Sequence, residues 1–317
     1  MKLWLKIFIS AGMLAALFAL IPWHEAQRAA SQISIAVWGV ALCGFMVGHS
    51  LGVTKWRMMV NAGRPTLRWL AAARCYAAGL FANLCLPSIV GGDVLRATLA
   101  GKATGRTESA ILGGLADRVG DLVVSGLLIS VGGIFAGGAL SGWQAQAAGL
   151  SLPIGFGMGL GCLPLIFRRR LSGWPARYRR LIARSLIALR RFGRNPRVAL
   201  QSLLISLLVQ SGFILLNAWI GWEVGIKVPL AVWFLTWPLA KVAALAPISL
   251  GGLGVRDATL ASLLAPFGVP VALSLVASLI WQSVMIAGGL ISGLIWWSLI
   301  GHGQGGPRER KHLGATD

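Results

Sequence analysis

Apolar runs of roughly 20 residues recur along this chain, long enough for a helix to cross a hydrocarbon core about 30 Å thick. The pattern predicts helices over about 3–22, 33–54, 107–140, 147–167, 199–222 and 271–299. Successive residues within these runs do not alternate between polar and apolar, so a membrane barrel is excluded and a helical protein expected. Thr107 is suited to cap the third of these helices, with Glu108 in its first turn where the helix dipole favours an acid. The first run follows Lys2 and Lys6 but lacks a small-residue cleavage site after it, so an uncleaved helix is expected.

Two apolar segments behave differently. Residues 69–86 run into Pro87, Gly91, Gly92 and Arg96, and residues 229–247 run into Pro247, Gly251, Gly252, Gly254 and Arg256. The motif Pro-x-x-x-Gly-Gly-x-x-x-Arg is thus repeated without gaps, and a short helix over 258–267 is expected after the second copy. Proline stops a helix and removes a donor, while paired glycines permit positive φ and close backbone approach. A broken backbone at membrane depth is tolerated where it is buried in protein or lines a polar cavity.

Charge decides how these segments lie. The formal net charge is +20, yet the cations concentrate in a few short stretches, eleven arginines between Arg168 and Arg197 among them. That is the signature of positive-inside topology rather than of nucleic-acid binding. Lys55, Arg57, Arg64, Arg68 and Arg74 flank the first broken segment on one side, and Lys102 and Arg106 on the other. With both flanks basic, the segment must enter and leave from the cytoplasmic side. By the same logic the second enters from outside. The expected fold is therefore all-α and polytopic, with about six full spans and two oppositely oriented re-entrant hairpins forming an inverted repeat. Residues 1–300 form one membrane domain with halves over 1–140 and 147–300, a basic loop over 168–198 and a disordered tail over 301–317. Both termini are expected in the cytoplasm, at a bacterial-type inner membrane. The arginine-rich loop either sets topology or binds anionic headgroups on that leaflet.

Hydrophobic residues make up 56% of the chain and charged residues 12%, about half the charged fraction of a soluble protein. With only nine acids present, Asp93, Asp117, Asp121 and Asp257 near the motifs stand out. Asp117 and Asp121 share one helix face and repel each other, so a cation should sit between them: Arg118, Arg96 or a substrate amine. These carboxylates either neutralise the arginines or carry protons. Lys241 either snorkels or contacts a phosphate. Asn83 is placed to cap the broken backbone or face a polar cavity. Neither Cys43, Cys75, Cys85 and Cys162 nor the scattered histidines make a metal or disulfide pattern, and no phosphate-binding glycine loop or catalytic triad is visible, so no cofactor or metal is expected.

The ordered set Asn83, Pro87, Gly91, Gly92, Arg96, then Asp117, Arg118, Asp121, then Pro247, Gly251, Gly252, Gly254, Arg256, Asp257 resembles the lysylphosphatidylglycerol synthase transmembrane region family, also called flippase-like, over roughly residues 5–300. Asp117 and Asp257 stand where that family commonly has Glu. The resemblance implies a helical domain that flips or binds modified phospholipids or polyprenyl and terpenoid lipids. Full-length synthases add a soluble aminoacyltransferase domain; only residues 301–317 follow the last span here, so aminoacyl transfer is not expected and a separate lipid-synthesising enzyme becomes the candidate partner. The expectation is a lipid flippase, not an enzyme, with membrane lipids as ligands and no nucleic acid. Arg96, Arg256, Arg118, Lys241 and Asn83 would meet an anionic headgroup while Asp93, Asp117, Asp121 and Asp257 balance charge. An accessory subunit or enzyme of envelope-lipid synthesis is the alternative. The residues leave the lipid and the oligomeric state open.

Overall fold

The computed structural model of the chain describes residues 33–62, 66–85, 89–136, 195–244 and 254–300. Pro87, Pro247, Gly251 and Gly252 lie outside the described residues, as do the helices expected over 3–22 and 147–167, most of the arginine-rich loop and the tail. Eight α-helices and no strand occur among the described residues: α1 (Ile35–Val60), α2 (Trp69–Cys85), α3 (Ile89–Thr104), α4 (Thr107–Ala136), α5 (Pro196–Glu223), α6 (Leu230–Ala243), α7 (Val255–Leu264) and α8 (Val271–Ile300). A 3₁₀ turn, Ala265–Phe267, follows α7. Helices α1, α4, α5 and α8 are long and apolar enough to cross a bilayer, and each matches a span expected from the hydrophobic pattern. The chain is a multi-pass membrane protein.

Several boundaries differ from the sequence expectation, for identifiable reasons. Helix α1 opens on Ser34, whose Oγ accepts from Val37 N, and continues past residue 54 to Val60. It stops only at Asn61, whose Oδ1 accepts from Leu67 N at 3.0 Å and whose Nδ2 donates to Leu67 O at 3.0 Å, tying the chain into α2. Helix α4 includes Thr107 instead of being capped by it, and Glu108 lies in its first turn. Gly91 and Gly92 belong to the first turns of α3 and have ordinary negative φ; their role is close approach, not unusual torsion. A Cβ on Gly92 would lie 2.2 Å from the Gly79 carbonyl. By contrast, Gly254 does adopt φ 78° and opens α7 three residues earlier than expected, which brings Arg256 and Asp257 into the helix.

The packing is inverted relative to a water-soluble bundle. On α5 the residues Ser202, Ser206, Gln210 and Asn217 are buried, while Leu200, Leu204, Leu208 and Leu215 are exposed. A helix with leucines outward and polar groups inward suits an apolar solvent around a polar interior. Helix α4 is central and packs on α1, α3, α5 and α6. Helices α2 and α3 form an antiparallel pair: Asn83 meets Gly92, and Gly79 meets both Gly92 and Arg96. The inward polar face of α5 and the middle of α4 therefore meet at the level where α1 and the α2–α3 pair converge.

Candidate functional site

That convergence holds a buried ion-pair network. Lys55 on α1 places its Nζ 2.6 Å from Asp121 Oδ1, 2.9 Å from Asp117 Oδ1 and 3.0 Å from Ser206 Oγ. An ammonium has three N–H donors, and three acceptors surround this one. The expected cation between Asp117 and Asp121 is thus Lys55, and not Arg118 or Arg96. Ser206 also donates to Asp121 Oδ1 at 2.9 Å. Gln210 extends the network: its Nε2 donates to the Asp121 carbonyl at 2.9 Å, and its Oε1 accepts from Ser125 Oγ at 2.7 Å.

Asp117 faces a second cation on its other oxygen, with Arg96 Nη2 3.1 Å from Oδ2. The same guanidinium lies 3.1 Å from Asp93 Oδ1, and Arg118 Nε donates to Asp93 Oδ2 at 2.7 Å. Arg96 is held between two rings, with Cζ 5.2 Å from the Trp56 centroid and 5.0 Å from that of Tyr76. Stacking of a desolvated guanidinium on aromatic faces contributes attraction without using its hydrogen-bond donors, and Arg96 Nε has no hydrogen-bond partner among the described residues. Above this level Asn83 Oδ1 accepts from Gly92 N at 3.1 Å. Asn83 thereby ties the end of α2 to the start of α3 across the pair. Asn83→Leu should lower stability by about 1 kcal/mol, the usual net value of one hydrogen bond, seen as a lower midpoint in detergent unfolding.

The second motif carries a smaller arrangement. Arg256 Nη2 lies 3.0 Å from Asp257 Oδ1 and 3.0 Å from Gln282 Oε1, and its Cζ is 5.7 Å from the Trp237 centroid. Asp257 also turns back to accept from Gly254 N at 3.3 Å, holding the start of α7. Both motif arginines therefore share one construction, a guanidinium stacked on an aromatic ring and neutralised by a neighbouring aspartate. A continuous path of rings joins them: Tyr76 to His49 (5.9 Å), His49 to Phe213 (5.4 Å), Phe213 to Trp281 (5.8 Å) and Trp281 to Trp237 (5.9 Å).

Residues 3–293 match the family described as the lysylphosphatidylglycerol synthase TM region. The chain belongs to this family. Comparison with curated proteins returns no match, and comparison with solved structures returns none. Membership in the lysylphosphatidylglycerol synthase TM-region family fits an all-helical protein whose polar groups turn inward, and it gives the chain a lipid-related role at the membrane.

Within that family frame, Asp93, Arg96, Asp117, Arg118 and Asp121 come together around Lys55, while Arg256 and Asp257 form their own group with Gln282. Lys241, in the last turn of α6, is exposed and makes no ion pair or hydrogen bond among the described residues. Lys55, Ser206 and Gln210 did not figure among the expected site residues. The signal for the last two was present: Ser202, Ser206 and Gln210 recur every four residues on one face of an otherwise apolar helix. Lys55 sits where no helix stop intervenes before Asn61, so it had to remain on α1.

Proposed function

We propose that this chain binds an anionic membrane lipid by its headgroup and moves it across the bilayer. The observation that carries this reading is the network of three cations and three carboxylates at the junction of α1, α3, α4 and α5, buried at Lys55, Arg96 and Asp117 and partly accessible at Arg118, Asp93 and Asp121. Ionised groups at membrane depth are costly, and they occur where a polar substrate or ion must pass. The set is mutually neutralised, so it can stay ionised inside the membrane, while a passing phosphate can exchange for a carboxylate on Arg96, Arg118 or Arg256.

The short helices support the same reading. Helix α2 has 17 residues and α3 has 16, each about 25 Å long at 1.5 Å per residue, short of the hydrocarbon thickness. An antiparallel pair of such helices suits a hairpin that enters and leaves one face, and α6 with α7 would enter from the other. The basic flanks orient the first hairpin, and both termini, toward the cytoplasm. Asp117 and Asp121 both pair with Lys55, and no chemical step is assigned to them.

The test is translocation of a fluorescent anionic phospholipid in proteoliposomes. The wild-type chain should move lipid between leaflets, and Arg118→Gln should slow it roughly tenfold, the worth of one charged hydrogen bond. The Arg118 side chain is 39% exposed, so the variant should fold. A wild-type chain that moves no lipid, or a variant as fast as wild type, would count against this function or this site.

A further inference from the structure

Each guanidinium in the two motif sites has a carboxylate, and one amine beside them has none. Lys55, Arg96 and Arg118 meet Asp93, Asp117 and Asp121, and Arg256 meets Asp257, so these charges sum to zero. Lys241, in the last turn of α6, makes no ion pair or hydrogen bond among the described residues. Its side chain is accessible. It borders a cleft between α5 and α6, shared with Gln210, Phe213, Ile214, Trp237 and Pro238. The cleft has room for about one water molecule, enough to carry a proton and too little for a headgroup.

The groups around Lys241 do not fix its charge. On α4 they are Asp121 and Arg118, and on α1 they are Lys55 and His49. Helix α5 presents the neutral Gln210, and α7 carries Arg256 and Asp257, which pair with each other. Asp121 is the carboxylate whose charge reaches Lys241. Lys55 and Ser206 hold Asp121 on Oδ1, and its Oδ2 has no partner among the described residues. That oxygen offers an ammonium at Lys241 some attraction without a direct ion pair. The helix dipole also favours a cation at the end of α6, but it does not explain why this one stands apart from every carboxylate. A guanidinium here would be a permanent charge, whereas a lysine amine gains and loses a proton inside proteins.

We propose that Lys241 is a proton-binding site, neutral in the empty chain, and that it takes up one proton with each singly charged anionic lipid the chain carries. A hydronium gives its proton to the Nζ lone pair as the lipid enters, leaving water, and the new N–H bond breaks to water again as the lipid departs. With Lys241 an amine, the empty site is balanced. With one lipid anion bound, one ammonium balances it again. The loaded site therefore crosses with no net charge, and a pH difference drives it where a membrane potential does not. This rests on the transport reading above and adds an energy source to it.

The experiment uses the full chain in phosphatidylcholine vesicles that hold a trace of fluorescent phosphatidylglycerol and an enclosed pH-sensitive dye. Potassium and valinomycin on both sides keep the membrane potential at zero. Phosphatidylglycerol should collect in the leaflet facing the more alkaline compartment, roughly tenfold for a difference of one pH unit, the equilibrium for one proton per lipid. The dye should register protons entering with the lipid, and a potential imposed without a pH difference should collect none. Lys241→Arg and Lys241→Met should both lose the pH-driven accumulation, and any lipid they still equilibrate should carry no protons. A role in packing or as a fixed charge would survive in Lys241→Arg. The side chain is accessible, so both variants should fold, and their unfolding midpoints check this. Lipid movement by the wild type without proton entry, or accumulation under potential alone, would overturn the proton site and leave transport standing. So would a Lys241→Arg chain that accumulates lipid like the wild type. Proton entry into vesicles lacking phosphatidylglycerol, at the same rate, would show a leak and overturn the coupling. A wild-type chain that moves no lipid under any gradient would overturn the transport reading itself, and this proposal with it.

Discussion

Lys55→Met should destabilise the chain by about 3–5 kcal/mol, the cost of removing one partner from a buried ion pair. The substitution keeps the length and apolar stem of the side chain, so packing on α1 changes little and the effect reports the charge. Without the ammonium, Asp117 retains Arg96, but Asp121 keeps only the Ser206 hydroxyl, and the two carboxylates are one helical turn apart with nothing between them. Unfolding in detergent should show the loss as a large fall in midpoint. The double variant Lys55→Met with Asp121→Asn removes the stranded charge and should recover most of the stability, because replacing both partners of a buried pair costs far less than removing one. A double-mutant cycle measures the coupling directly. If the single variant is as stable as wild type, or the double variant is worse than the single, the ion-pair account of this junction is wrong.

Gly92→Ala should cost about 1–3 kcal/mol, the range for forcing extra volume into a packed contact, and should abolish lipid movement. The added Cβ would meet the Gly79 carbonyl at 2.2 Å and Asn83 Oδ1 at 2.3 Å. The Asn83 side chain can turn away, with loss of its bond to Gly92 N, but the carbonyl belongs to α2 and moves only if the helix pair opens. Arg96 lies one turn further along α3, so opening the pair withdraws its guanidinium from Trp56 and Tyr76. Gly39→Ala is the matched control: nothing lies within 4 Å of its Cβ. There the substitution should be neutral or stabilise by about 0.5–1 kcal/mol through helix propensity. Unfolding midpoints of the two variants, read side by side, separate close approach from a general effect of glycine replacement.

Much of this architecture can be read from residue order. The four long spans follow from apolar length alone, and the meeting of Asn83 with Gly92 follows from a proline-interrupted pair with glycines after the break. Repulsion between Asp117 and Asp121 signals a cation. Its identity was less accessible, because Lys55 reads as one more basic residue at a helix end, and only the extension of α1 to Asn61 carries it inside. Positive-inside reasoning has the same blind spot: it counts Lys55 among the flanking basic charges, although two carboxylates hold it. The aromatic path between the two motif arginines depends on rotamers and helix crossings that no local pattern encodes. For Lys241 the sequence offers a lone cation among apolar residues, and the neighbours that give it a chemical setting, Gln210 and Phe213, come from a helix distant in sequence.

At Gly221 the indole of Trp233 occupies the place of a side chain, with Cζ2 2.2 Å from where a Cβ would stand. The backbone of α6 is seated just as closely on α4, where a Cβ added to Gly132 would stand 2.4 Å from Leu235 N. Sliding α6 lengthwise by one turn would have to lift a tryptophan out of a notch and drive a backbone through its neighbour at once. Helices α4, α5 and α6 are therefore keyed together like the wards of a lock, and any rearrangement of the bundle must carry all three as one body.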